Sequence, residues 1–166
     1  MDTQTAPAEQ EALGGELVVV RLGGSRFALD MDAVAEVGRP PGLTRVPGTP
    51  AWVAGLANWR GRVLAVIDLR RALSAPTTAL DRQGRLIVLR RDGVTVGLLA
   101  ESVEGTTTVA VEALEPVLAN LAESGAALLC GQVTDAQGPI GVLDLTAVFA
   151  LADGLPRPRR TLGSDS

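Results

Sequence analysis

The chain has 166 residues, a formal net charge of −4 and 46% hydrophobic residues, enough apolar material for one core or two small cores that share an interface. Two Trp, two Phe and no Tyr leave an aliphatic interior, and with the acidic balance they argue against a general grip on nucleic acid or on an anionic membrane. There is no histidine, which excludes Ser-His-Asp and Cys-His catalytic arrangements and removes the commonest zinc ligand.

Residues 1–15 are acidic and polar, without the basic start and apolar stretch of a secretory signal, and read as a tail. No apolar run approaches the roughly 20 residues of a membrane span, so the expectation is a soluble, cytoplasmic protein with no direct membrane insertion. The folded body is expected over 16–153. Short Val-rich and Leu-rich runs there alternate with glycine turns, the pattern of an all-β domain with short helices. "ELVVVRLGGSRFALDMDAVAEV" predicts strands at 17–22 and 26–29 around a Gly23-Gly24 turn, then a short helix capped by Asp30 and running through Met31, Val34 and Ala35.

"TRVPGTPAWVAGLANWRGRVLAVIDLRRAL" predicts a proline-broken edge segment, a strand near 53–58, a turn at Arg60-Gly61, a strand at 62–67 and a short helix capped by Asp68. Asn58 and Gly61 suit the turn because both tolerate positive φ. Both phrases then recur. "RLIVLRRDGVTVGLLAESVEG" places Gly93, Gly97 and Val103 where Gly24, Ala28 and Val34 stood. "LLCGQVTDAQGPIGVLDLTAVFAL" places Gly131 for Gly55, Asp144 for Asp68 and Leu145 for Leu69. The repetition predicts two related halves of about five strands each, connected through 74–84. Five short strands bury an aliphatic interior best by closing on themselves, so two small barrels sharing an apolar interface are expected. A polar, helix-prone insertion, "VEALEPVLANLAESGAA", interrupts the second half. From Gly154 onward, proline and charge mark a second tail.

The chemistry-bearing residues are sparse. Asp30, Asp32, Asp68, Glu101, Glu104 and Asp144 fall at separate places without the spacing of an acid-base pair, and read as caps or solvated positions. No glycine phrase has the form that cradles phosphates. Cys130 is the one cysteine; it excludes an intrachain disulfide and reads as a small buried hydrophobe. No cofactor or metal is expected. The Arg157–Arg160 run reads as a solvated charge cluster.

The phrase "VPGTPAWVAGLANWRGRVLAVIDLR", with its Asn-x-Arg-Gly and its closing Asp-Leu-Arg, resembles the signature of CheW-like chemotaxis coupling domains. "FALDMDAVAEV", "VGLLAESVEG" and "GVLDLTAVF" follow in that family's order. The resemblance implies two interlocked five-stranded SH3-like β-barrels. It also implies a scaffold without catalysis that joins the cytoplasmic tips of chemoreceptors to the regulatory domain of the histidine kinase CheA. By position it implies partner-binding roles for Glu36 and Arg60, and a receptor groove lined by Val34, Leu86, Gly97 and Val103. A guanidinium–carboxylate pair between Glu36 and Arg60 would hold the expected helix against the Arg-Gly turn. Trp59 stands where an aliphatic residue is usual; it is either a packed anchor or an exposed interface residue, and the second reading is taken. Gly55, Asn58, Gly61, Asp68 and Asp144 are read as structural. The counterpart of the Arg60 turn in the second half, "VTDAQGP", has no arginine, so the turn does not require the charge.

Overall fold

The computed structural model describes residues 15–117 and 123–153, so the expected tails, apart from Gly15, and part of the helix-prone insertion lie outside the described residues. In chain order the elements are β1 (Glu16–Leu22), β2 (Ser25–Asp30), β3 (Val34–Gly38), β4 (Val53–Trp59), β5 (Arg62–Ile67) and α1 (Leu69–Ala72). There follow β6 (Arg85–Arg91), β7 (Val94–Ala100), β8 (Ser102–Thr108), α2 (Glu123–Ala126), β9 (Leu129–Asp135), β10 (Gly138–Leu143) and α3 (Leu145–Leu151). They form two five-stranded sheets, in the orders β8-β1-β2-β10-β9 and β3-β6-β7-β5-β4.

The second of these, here the central barrel, is contiguous in sequence from β3 to β7. The first, the terminal barrel, is assembled from the β1–β2 hairpin and the last three strands. The repeat is present in three dimensions: β6 begins 69 positions after β1 (16 to 85), and β9 begins 76 after β4 (53 to 129). The halves have exchanged their first hairpins. β2 pairs in parallel with β10 through Ala28↔Val142, and β7 pairs in parallel with β5 through Gly97↔Val66, which are repeat-related contacts. The 74–84 connection therefore joins the two sequence halves but not the two barrels. It leads from α1 to β6 inside the central barrel, and the chain passes between barrels around 31–33 and at Glu101.

The exchange explains the unbroken apolar runs. Along β1, Leu17 and Val19 enter the terminal-barrel interior, while Val18, Val20 and Leu22 enter the layer between barrels. Along β6, Leu86 and Val88 fill the central barrel, while Ile87 and Leu89 join the same shared layer. A strand buried on both faces has no polar face to show, so period-two alternation disappears from its sequence. The shared layer also collects Ile67, Leu69 and Leu73 from the end of β5 onward and Leu143, Leu145 and Val148 from the end of β10 onward, and is the largest of the three apolar clusters among the described residues. An apolar interface was expected; that it exceeds either barrel interior was not.

Most predicted strands stand within a residue of their expected limits. The helix after Asp30 is the exception. Asp30 does accept a hydrogen bond from the Asp32 N–H, but it caps only the 3-10 turn Met31–Ala33, and Val34–Gly38 is strand β3 paired with β6. Two valines and an available edge prevail over the cap signal. The proline-rich segment contributes one bridge, Thr44 to Leu56.

Because both barrels share one layer and exchange strands, the expected unfolding is a single transition. Tryptophan fluorescence, which reports only on Trp52 and Trp59 in and beside β4, should coincide with far-ultraviolet ellipticity, which reports on both barrels. Ile87→Ala in the shared layer should move both signals together by about 2–5 kcal/mol. Two separated transitions would contradict the shared-layer account.

Candidate functional site

The central sheet ends in the edge strands β3 and β4, and the residues around the Arg-Gly turn close the seam between them. Arg60 and Gly61 have φ of 52° and 80°, the pair of positive angles that a two-residue hairpin turn needs to match strand twist. Asn58 supports it, its Oδ1 accepting the Gly61 N–H at 3.1 Å. The Trp59 ring lies across the seam on Gly38, where a Cβ would stand only 2.6 Å from Cη2. The Arg60 guanidinium lies 5.4 Å from the centre of that ring, and its Nε–H donates to Glu36 Oε1 at 2.7 Å. The Glu36 carboxyl is held below its ordinary range, first by the Arg60 hydrogen bond; the Trp59 indole N–H faces it without closing a hydrogen bond. Arg60 itself remains 69% exposed. The expected Glu36–Arg60 pair is thus present, but it ties a strand to the Arg-Gly turn, since Glu36 lies on β3 and not on a helix.

Trp59 is half-buried and packed against the central-barrel cluster. Gly55 has φ 147°, and a Cβ there would lie 2.6 Å from the Thr44 carbonyl oxygen, so it admits the bridge that covers the outer edge of β4. Val34 and Val103 are half-buried, repeat-related, and packed against the shared layer. Leu86 and Gly97 do not line a surface groove. Leu86 has no exposed surface, and a Cβ on Gly97 would meet Leu86, Leu64 and Val66 inside the central barrel. Their strands, β6 and β7, are covered on both faces because of the hairpin exchange, which the sequence pattern alone did not disclose. Asp68 caps α1 through the Arg70 N–H, and Asp144 caps α3 through the Ala147 N–H, as expected. Cys130 is half-buried beside the terminal-barrel core.

One polar cluster was missed. Arg70, 3% exposed, donates from Nε and Nη2 to the two oxygens of Asp68 at 2.9 and 3.0 Å, and from Nη1 to Glu101 Oε2 at 3.1 Å. Glu101 also accepts the N–H groups of Gly23 and Gly24. The cluster ties α1 of the central barrel to the β1–β2 turn of the terminal barrel. Burial pushes the Glu101 carboxyl up, but those two N–H groups and the Arg70 guanidinium outweigh it and leave it below its ordinary range. The signal was the Asp-x-Arg spacing after β5, which lets a cap residue and a cation share one turn.

Residues 16–153 match the profile of the CheW-like domain. The chain belongs to that family. It is 38% identical over 100 residues to protein PilI of Pseudomonas aeruginosa, a match that covers 60% of this chain and 56% of PilI. To protein FrzA of Myxococcus xanthus it is 30% identical over 153 residues, covering 92% of this chain and 96% of FrzA. The fold agrees with the crystal structure of the scaffolding protein TtCheW from Thermoanaerobacter tengcongensis, at a TM-score of 0.71 and 22% identity over 87% of this chain and 90% of that one. Among the described residues no helix is long and apolar enough to cross a membrane, and no group of three or more metal-ligating side chains stands together.

The internal repeat of this CheW-like chain separates the seam cluster from what the fold requires. The positions related to Glu36, Trp59 and Arg60 are Gly105, Asp135 and Ala136. Positive φ at the β9–β10 turn falls on Gly138 instead, and Arg26 from β2 fixes that turn by pairing with Asp135. The terminal barrel stands without a seam cluster.

Removing Arg70 leaves Asp68 buried without its partner, so Arg70→Met should cost about 3–5 kcal/mol in urea unfolding, while Arg71→Ala on the exposed side of α1 should stay within about 0.5 kcal/mol. Glu101 binds protons more weakly folded than unfolded. The stability it contributes is therefore complete above the ordinary glutamate range, about 4.3, and is lost as pH falls through its lower folded value. Glu101→Gln should flatten that acid limb of the unfolding midpoint.

Proposed function

We propose that this chain is a non-enzymatic chemotaxis adaptor that couples chemoreceptors, the methyl-accepting chemotaxis proteins, to the histidine kinase CheA. In this reading it binds the kinase's regulatory domain and the cytoplasmic receptor tip, and works in the cytoplasm at membrane-associated arrays. Membership of the CheW-like family supports the class of function. The observation that carries the residue assignment is the state of Arg60.

A left-handed backbone costs a side chain such as arginine about 1–2 kcal/mol, and glycine would remove that cost. Arg60 nevertheless holds this conformation at an exposed turn, with Nε–H tied to Glu36 and both terminal nitrogens facing solvent without partners among the described residues. Strain kept at an exposed, pre-oriented cation points to a partner. Glu36 sets the direction of the guanidinium, and Trp59 supplies a flat support beneath it. Val34 and Val103, half-buried at the rim of the shared layer, offer an apolar edge to a helical receptor tip. Half-buried Trp59 serves as that support and contributes its remaining exposed surface to the interface.

A second reading, an auxiliary coupling protein of a non-flagellar chemosensory system such as type IV pilus motility or second-messenger control, is favoured by the matches to PilI and FrzA. It shares the adaptor mechanism and differs in the output.

The test is capture of a CheA regulatory domain and of a receptor tip, each separately. Arg60→Ala should weaken capture of at least one partner about tenfold or more with little change in thermal midpoint. Arg60→Gly should show the same loss with an equal or higher midpoint, because the turn is relieved. Undiminished capture by both variants would remove Arg60 from the interface.

A further inference from the structure

The net charge of −4 conceals a division between the barrels. Residues 34–100, which build the central barrel, carry ten arginines against four carboxylates, formally +6. The other described residues carry two arginines against eleven carboxylates, formally −9. Every cation in the chain is an arginine. Of the ten in the central barrel, only Arg60 and Arg70 pair with a carboxylate among the described residues.

Several of these cations converge on one end of that barrel. β5 runs parallel beside β7, with Val66 opposite Gly97, so the 60–61 and 92–93 turns lie at the same end. Leu64 and Val66 on β5 face the barrel interior, as do Leu86 and Val88 on β6. Two residues along each strand on that same face stand Arg62 and Arg90, both exposed, at the mouth. Glu36 pairs across the strands with Val88 and feels the charge of Arg90 as well as that of Arg60. Arg62 has no side-chain partner among the described residues, and Arg90 has only Thr95 Oγ1 at 3.4 Å. Arg60 and Arg90 thus both act on the Glu36 carboxylate, while Arg62 stands at the same end on β5, with Asp92 at the tip of the neighbouring turn and the 45%-exposed Val63 next to it in the chain.

We propose that this mouth binds an acidic segment of the partner protein, with Arg62 and Arg90 as contact residues beside Arg60. A guanidinium presents paired N–H donors that match a carboxylate, and it loses less hydration on docking than an ammonium would. The opposite charge of the terminal barrel repels the same segment. The field across the molecule therefore orients an approaching acidic partner toward the mouth and sets its register. The proposal rests on the adaptor reading only for the partner's identity; the chemistry of the mouth can be tested apart from it.

The first experiment titrates the intact chain with an oligoglutamate peptide and follows backbone amide shifts. Changes confined to the 60–62 and 90–94 turns, lost in Arg62→Glu/Arg90→Glu and reduced as ionic strength rises from about 50 to about 500 mM, are expected. No shift, or shifts spread equally over the terminal barrel, would overturn the proposal even if kinase and receptor capture are normal. The second experiment measures capture of the CheA regulatory domain and the receptor tip by the same double variant. Loss of about tenfold or more for one of them, with an unchanged thermal midpoint and recovery in Arg62→Lys/Arg90→Lys, is expected. If the wild-type chain captures neither protein yet binds the peptide, the adaptor reading fails and the acidic-segment site stands. Self-association that the charge reversal abolishes would overturn the proposal by giving the mouth to a second copy's acidic barrel.

Discussion

The structure depends on a single apolar layer between two barrels that have exchanged hairpins. Both strands of each exchanged hairpin, β1 and β2 or β6 and β7, are buried on both faces, one face filling a barrel and the other the shared layer. A five-stranded barrel of about 65 residues buries too little surface to be generously stable alone. The exchange removes that weakness by making the interface the largest apolar cluster among the described residues. It also fixes the two barrels as one body, so that surfaces on different barrels keep a constant relation.

That rigidity bears on function. An adaptor between two proteins transmits orientation only if its docking surfaces do not move independently. The shared layer supplies the apolar part of this constraint, and the Asp68–Arg70–Glu101 cluster supplies a polar part with directional bonds across the barrels. The buried ions specify how α1 meets the β1–β2 turn, a task that apolar contacts, which are non-directional, perform poorly. On this frame the seam cluster of Glu36, Trp59 and Arg60 is an addition. The repeat-related positions of the terminal barrel lack all three residues, and that barrel closes by other means.

Much of this was legible along the chain. The strand at 62–67, the Gly23-Gly24 turn, the caps at Asp68 and Asp144 and the two-fold repetition all rest on local rules, which act within a few residues and therefore leave their mark in short phrases. The Asn58 and Gly61 turn roles belong here too. β3 departs from the expected helix because a cap signal at Asp30 and a strand preference at Val34 and Val37 compete locally, and the free edge of β6, far along the chain, sets the outcome.

The sequence by itself determined that two repeated, aliphatic, glycine-turned halves would close into small barrels, and that the chain resembles CheW-like domains. Tertiary structure alone decided which strands share a barrel, because swapped and unswapped hairpins satisfy the same hydrophobic pattern and differ only in what covers their second face. For the same reason it decided that Leu86 and Gly97 lie inside a barrel while Arg60 stays at the surface. It also gathered Arg60, Arg62 and Arg90 at one mouth, since register and parallel pairing, which bring distant residues together, are not written in any one segment.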